Sequence, residues 1–183
     1  MIIQRYDDSR KEEVRDVVLG VLKEHGFEPD RLKDADLNDI NGYYFGSGGA
    51  FFVGIVDGKV VGTAGIRKLS GNRCEIRRIY LKKAFRGKGN GKQLFRTALD
   101  FAEKNCSGVF LKTDSTLTKA IDMYLKHGFT FKKEETGYLY FEKKCFNARV
   151  PSREDGVLFA NFVRSIGLNL TFRMCLIYFS INI

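Results

Sequence analysis

Six consecutive residues, Arg86-Gly87-Lys88-Gly89-Asn90-Gly91, have the types and spacing that hold a phosphate. Glycines at alternate positions let the chain turn tightly and approach a ligand, because a residue without Cβ reaches positive φ at little cost. The segment opens directly into a helical pattern over residues 92–104. Unpaired N–H groups and the positive end of the helix dipole then lie beside the turn, and both favour an anion. A Walker A loop would follow Gly-Lys with Ser or Thr to hold magnesium, whereas Gly91-Lys92 is followed by Gln93. A dinucleotide fingerprint would place its third glycine one residue later. Taken alone, the segment also reads as a surface turn decorated with cations.

The surrounding charge narrows the choice. Lys82, Lys83, Arg86, Lys88, Lys92 and Arg96 crowd around the turn without an intervening acid, in a chain of net charge +9. Such a patch attracts a polyanion, a nucleic acid included. Proteins that read single strands interleave aromatic residues with the basic ones, and only Phe85 lies between Lys82 and Lys92. No nucleic-acid partner is expected.

The turn is preceded by the strand pattern Cys74-Glu75-Ile76-Arg77-Arg78-Ile79-Tyr80-Leu81 and followed by Ala120-Ile121-Asp122-Met123-Tyr124-Leu125-Lys126-His127-Gly128-Phe129. These motifs, in this order and at this separation, resemble the GNAT superfamily of acetyl-CoA-dependent N-acetyltransferases. The resemblance covers residues 1–145. It implies an α/β fold with a mixed, largely antiparallel central sheet flanked by helices and splayed between the fourth and fifth strands. It also implies acetyl-CoA as the acyl-donor cosubstrate. Backbone groups of Ile79, Tyr80 and Leu81 would bind the pantetheine arm as if it were an added strand. Arg86, Gly87, Lys88, Gly89, Asn90, Gly91 and Lys92 would hold the pyrophosphate. Two positions depart from the family pattern: Asn90 replaces the usual aliphatic residue, and Leu117 stands where an asparagine is common, leaving Thr118 or Thr116 to contact the coenzyme.

Acetyl transfer from a thioester sets three tasks: taking a proton from the ammonium form of the acceptor, stabilising a tetrahedral oxyanion, and meeting the departing sulfur. Glu75 is the candidate base, acting through water, because a carboxylate in a partly dry cleft has a raised pKa. An ion pair with Arg77 or a nearby lysine is the competing reading. Tyr124 matches the tyrosine that the family places near the coenzyme sulfur as general acid; it also fits a core tyrosine at helical spacing with Ile121 and Leu125. A backbone N–H near Tyr80 is the expected oxyanion donor.

The elements that must position these groups follow from periodicity. Residues 2–6 read as a first strand. Ser9-Arg10-Lys11-Glu12 reads as a capping box before a helix carrying Val14, Val17, Val18, Val21 and Leu22. His25-Gly26 and His127-Gly128 read as two helix ends with glycine in the left-handed conformation. Residues 28–49 are polar and read as one or two short helices and then a mobile loop over residues 42–49. Their acids Asp30, Asp34, Asp36 and Asp39 read either as a solvated helical face or as an attraction for a cationic amine. Asp57-Gly58 marks a hairpin between strands over residues 51–56 and 59–66. Residues 74–81, 109–112 and a pair about Thr136-Gly137 supply the other strands. On a regular strand Glu75, Arg77, Ile79 and Leu81 would share one face.

Composition adds bounds. The length of 183 residues suits one domain over residues 1–145, with a hydrophobic tail, residues 146–183, of uncertain status. Arg164 and Arg173 interrupt its apolar stretch from residue 157 onward, so no membrane span is expected; packing on the domain, pairing with a second subunit as a homodimer, touching a membrane surface, or a non-native extension stay open. The four cysteines and two histidines show no metal-site spacing. With a polar N-terminus, free thiols in a reducing cytoplasm are expected. The sum points to an N-acetyltransferase acting on a primary amine, a small molecule or amino acid; a non-catalytic acyl-CoA-binding module or a basic RNA-binding module is the alternative.

Overall fold

The computed structural model describes residues 1–145, so the readings of residues 146–183 lie outside the described part of the chain. Seven strands form one sheet in the order β1-β2-β3-β4-β5-β7-β6. Strands β1 (Ile2–Arg5), β2 (Ala50–Val56), β3 (Lys59–Leu69) and β4 (Arg73–Leu81) follow one another in antiparallel pairs. Asp57 and Gly58 join β2 to β3 with φ of 49° and 76°, the double positive φ that a two-residue hairpin of this twist requires. Strand β5 (Gly108–Asp114) lies parallel to β4, and β7 (Tyr138–Lys144) enters between β5 and β6 (Thr130–Glu135).

Alternation along the strands divides the apolar residues between two layers. In β2, Ala50 and Phe52 pack on one face, while Phe51 and Val53 pack on the other. The second face is covered by α1 (Lys11–Glu24), which buries Val14, Val17, Val18 and Val21 at helical spacing. The first is covered by α2 (Asn90–Asn105), which buries Leu94, Phe95, Ala98, Leu99 and Ala102, and by Tyr124 of α3 (Thr118–Lys126). Each large side chain of this kind contributes about 1.5–3 kcal/mol by leaving water. Helices α1 and α3 stop at Gly26 and Gly128, with φ of 77° and 82°, and Phe27 and Phe129 donate their N–H groups back to Leu22 and Tyr124. Both expected glycine caps are formed.

Four expectations change. The capping box does not form: Asp7, two residues before Ser9, accepts from the Ser9 N–H and caps a short 3₁₀ turn, Asp8–Arg10, that leads into α1. Residues 42–49 are not a simple loop. Asn41–Phe45 form a π-helical turn, because the Tyr44 ring is fully buried between Phe51 and the strand backbone at Gly65. The thiols are not all free: Cys74, on β4, and Cys106, at the C-terminus of α2, form a disulfide across 32 residues. The long separation carries no local spacing signal, and the pair arises because α2 packs over the start of β4. Finally, β4 is not regular. Thr63 pairs with Tyr80 and Gly65 with Arg77, so Arg78 and Ile79 together oppose Ala64. This bulge, with Arg78 at φ of 53°, reverses the alternation. Glu75 and Arg77 face the α1 layer, whereas Ile79 packs on the α2 layer and Tyr80 on the α1 layer.

Candidate active site

The glycine turn ends at the first residue of α2. Gly87 and Gly89 have φ of 79° and 80°, and a Cβ at either would meet nothing within 4 Å. The demand for glycine is therefore a demand of backbone conformation rather than of space. Among the described residues no carbonyl or side chain accepts from the N–H groups of residues 87–92, and the first bond after the turn runs from Gln93 to Gly89 at 3.0 Å. Six donors at the positive end of a 16-residue helix thus have no acceptor among the described residues. No ion pair among the described residues engages Lys88 or Lys92.

Two side chains fix the turn from behind. Asn90 donates its amide N–H to the Phe85 carbonyl at 3.0 Å, so the residue that departs from the family pattern holds the turn by a hydrogen bond instead of apolar packing. The Arg86 guanidinium donates to the Leu81 carbonyl at 2.8 Å and forks onto Glu24 of α1 at 2.6 and 3.0 Å. Its charge is met within the protein, which ties the turn to the end of β4 and to α1.

Between β4 and β5 the sheet opens. Pairing is confined to Arg73 with Gly108, Cys74 with Val109 and Glu75 with Phe110. Strand β4 stays bonded to β3 through Leu81, so from Ile76 onward one edge of its backbone has no strand beside it. The bulge at Arg78 sits within that open stretch and is held by a buried network. The Arg78 guanidinium donates to Asp36 at 3.0 and 2.5 Å and to the Lys33 carbonyl at 2.8 Å, and lies 3.0 Å from Asp34. Tyr44 donates to Asp36 at 2.5 Å, and Thr63 donates to the Arg78 carbonyl at 2.7 Å. Burial alone would raise the Asp36 pKa, but the hydrogen bonds and charge of Arg78 outweigh it and hold the carboxyl below its usual value. Asp36 is thus neither a solvated face nor free for an amine, and Arg78, Asp36 and Tyr44 are site-shaping residues that sequence reading missed. The only sequence signal was two consecutive arginines, Arg77 and Arg78, in a strand whose alternation would give them opposite faces.

Glu75 opens the gap. It is 8% exposed, accepts no hydrogen bond among the described residues, and lies 3.8 Å from the Arg77 guanidinium. Burial pushes its pKa up, while Arg77, Arg67 and Lys112, in that order, pull it down. The net shift is upward. Both readings of Glu75 are therefore physically present, a long ion pair and a carboxylate that takes a proton more readily than usual. Arg67 is the cross-strand neighbour of Glu75. Tyr43 of the π-helical turn stands over the two arginines: Arg67 donates to its hydroxyl at 3.1 Å, Arg77 donates to the same oxygen, and the Arg67 guanidinium lies 4.4 Å from the ring centre.

Tyr124 meets the gap from the other layer. Its ring packs on Phe95, Phe129 and Phe141 with centroids 5.3, 6.2 and 6.2 Å away. Burial raises its pKa strongly and Tyr80 adds to the rise, against a side-chain hydrogen bond with Thr113. The phenol stays protonated at neutral pH. Thr113 lies three residues beyond Phe110, the partner of Glu75, so Glu75 and Tyr124 are separated by about 10 Å along β5 and by the thickness of the sheet. Ile79, Tyr80 and Leu81 form the open end of β4 between them, and Thr118 is the exposed first residue of α3. A separate cleft of about 420 Å³ lies among Arg10, Glu13, Asp16, Gly58, Lys59 and Lys82; it holds none of these groups. Among the described residues no helix is long and apolar enough to cross a membrane.

Comparison with known proteins agrees with this geometry. A Staphylococcus aureus acetyltransferase of the GNAT family superposes with a TM-score of 0.72 at 25% identity, over 79% of this chain and 98% of that one. The PaiA N-acetyltransferase of Thermoplasma acidophilum, solved in complex with coenzyme A, shares the fold with a TM-score of 0.61 at 17% identity, over 78% and 98% of the two chains. In sequence the chain is 33% identical over 120 residues to YjgM, an uncharacterized N-acetyltransferase of Escherichia coli, covering 62% of this chain and 72% of that protein. It is 38% identical over 135 residues to the N-acetylaspartate synthetase of Homo sapiens, covering 66% of this chain but only 45% of that protein. The model of the acetyltransferase (GNAT) family matches residues 18–129, well over half of the chain, and the protein belongs to that family of acyltransferases.

Proposed function

We propose that the chain transfers the acetyl group of acetyl-CoA to the primary amine of a small molecule or amino acid, in the gap between β4 and β5. The observation that carries this reading is the gap, with a poorly solvated carboxylate at its closed end and a protonated phenol on the opposite layer, together with six N–H donors without acceptors in the turn that follows β4. A thioester with a polyanionic handle suits these features: Lys88, Lys92 and the N–H groups of residues 87–92 receive the pyrophosphate, and the free edge of β4 at Ile79, Tyr80 and Leu81 bonds the arm. Arg86 and Asn90 keep the turn in shape, and Thr118 borders the arm from α3. The relatives' names support an amine acceptor.

In the reaction Glu75, through water, takes a proton from the acceptor's ammonium group. The freed amine nitrogen bonds to the carbonyl carbon, a β4 N–H near Tyr80 receives the oxyanion, the carbon–sulfur bond breaks as Tyr124 hydrogen-bonds the leaving sulfur and supplies its proton, and the second proton of the nitrogen, lost as the amide forms, restores the Tyr124 phenol through solvent. The raised Glu75 pKa places the base nearer neutral pH, where proton transfer is most effective. The test is incubation with acetyl-CoA and a panel of amines, following free thiol and N-acetylated product. Product from at least one amine supports the reading, and coenzyme binding without product from any amine leaves only an acyl-CoA-binding module.

A further inference from the structure

The face of the sheet that carries Glu75 holds more positive charge than the protein neutralises. Arg67 on β3, Arg77 on β4 and Lys112 on β5 surround Glu75, as the register requires: Arg67 pairs with Glu75, Glu75 with Phe110, and Arg77 and Lys112 follow two residues later on the same face. Three cations thus share one carboxylate, and because Arg78 beside them answers both Asp34 and Asp36, the excess where the acceptor must arrive is about one positive charge. The arginines are not consumed by salt bridges. Apart from the 3.8 Å approach of Arg77 to Glu75, the only protein acceptor that either guanidinium meets among the described residues is the Tyr43 hydroxyl, to which each donates. A guanidinium carries five N–H donors, so most donors of both forks have no protein acceptor among the described residues. Partly buried guanidinium pairs with unused donors are suited to receive a carboxylate in bidentate fashion.

We infer that the acceptor is an amine that also bears a free carboxylate, such as a small amino acid, and that Arg67 and Arg77 grip this carboxylate while Glu75 faces the amine. This rests on the acetyltransferase reading above and adds the acceptor's class and its anchors. Tyr43 is a positioning residue: its hydroxyl holds the two guanidinium groups together, and its ring lies against Arg67 and Arg77 at 4.4 and 5.4 Å. Excess positive charge and unused guanidinium donors disfavour polyamines and other acceptors whose charge is only positive. An amino acid derivative in which every carboxylate is an amide or ester keeps the amine but offers the arginines nothing.

The test uses the full chain. Coenzyme binding is measured by calorimetry, and thiol release is followed with aspartate, glutamate and alanine, the diamide and dimethyl ester of the first two, the amide and methyl ester of alanine, a diamine and a short peptide with a free N-terminus and an amidated C-terminus. The expected result is release with free amino acids and a loss of roughly 10- to 100-fold in kcat/KM for the amides and esters, the scale of a lost charged hydrogen bond. Arg67→Gln and Arg77→Gln should raise KM by a similar factor while coenzyme affinity stays within about twofold. The analogue series needs no variant, so it stands even if a variant fails to fold. Equal kcat/KM for amides, peptide or diamine would overturn this inference and leave the acetyltransferase reading standing. So would coenzyme binding with no release from any free amino acid. Failure to bind coenzyme would overturn both.

Discussion

Replacing Asp36 by alanine tests how the site is held open. Asp36 and Arg78 have side chains only 2% and 6% exposed and meet at 2.5 Å. Removing one member of a buried pair leaves an uncompensated charge and costs about 3–5 kcal/mol. Arg78 retains Asp34 at 3.0 Å and the Lys33 carbonyl at 2.8 Å, which places the expected loss near the lower end, about 3 kcal/mol. For a chain of this size that is roughly 6–12 °C in Tm. Urea denaturation followed by circular dichroism measures the loss directly. Replacing both partners together, Asp36→Leu with Arg78→Met, should recover most of it, because the cost comes from the stranded charge rather than from the absent bond. The loss should also shrink in acid. The folded carboxyl titrates below its usual 3.8, so its stabilisation is present above that value and disappears as pH falls through the folded pKa. Because Arg78 is the bulged residue, Asp36→Ala should weaken coenzyme binding at temperatures where the protein is still folded. A loss under about 1 kcal/mol with unchanged coenzyme affinity would refute the view that this pair holds the bulge.

Three further outcomes follow from the site. Tyr124→Phe should fold normally, since the ring already packs among phenylalanines, and should lower kcat by ~10²–10⁴ with little change in coenzyme affinity; unchanged turnover removes Tyr124 from the reaction. Glu75→Gln should lower kcat/KM by a similar factor and abolish the acid limb of the pH profile, in which activity falls as Glu75 gains its proton. The same variant should be more stable than the parent at neutral pH: the folded pKa lies above 4.5, so the contribution of Glu75 is favourable below that value and is lost as pH rises through the folded pKa. A chain ending at Cys145 should unfold cooperatively and bind coenzyme as the full chain does, if residues 1–145 are a complete domain; failure to fold would make the tail part of the core.

What was legible in the sequence is what depends on neighbours along the chain. The glycine turn, the Asp57-Gly58 hairpin and the two histidine-glycine helix ends are set by local conformation, and all took the expected form. The face alternation of β4 was misread because one inserted residue, Arg78, reverses it, and a bulge leaves no mark in composition. The network around Arg78 joins residues 42 positions apart, and the Cys74–Cys106 bond spans 32; no spacing rule connects such pairs. Asp34 and Asp36 looked like solvated charge for the same reason. Tyr43, Arg67 and Arg77 meet only through the strand register and the π-helical turn, so their convergence became visible with the fold.

The central claim is that the gap between β4 and β5 carries acetyl from acetyl-CoA to an amine. Its most direct measurement is mass spectrometry of product formed by the full chain from acetyl-CoA and free amino acids, with thiol release followed in parallel. The account expects an N-acetylated amino acid and free thiol in equal amounts, both lost together in Glu75→Gln. Acetyl-CoA left intact in the presence of every amine, by a folded chain that unfolds cooperatively, would contradict it.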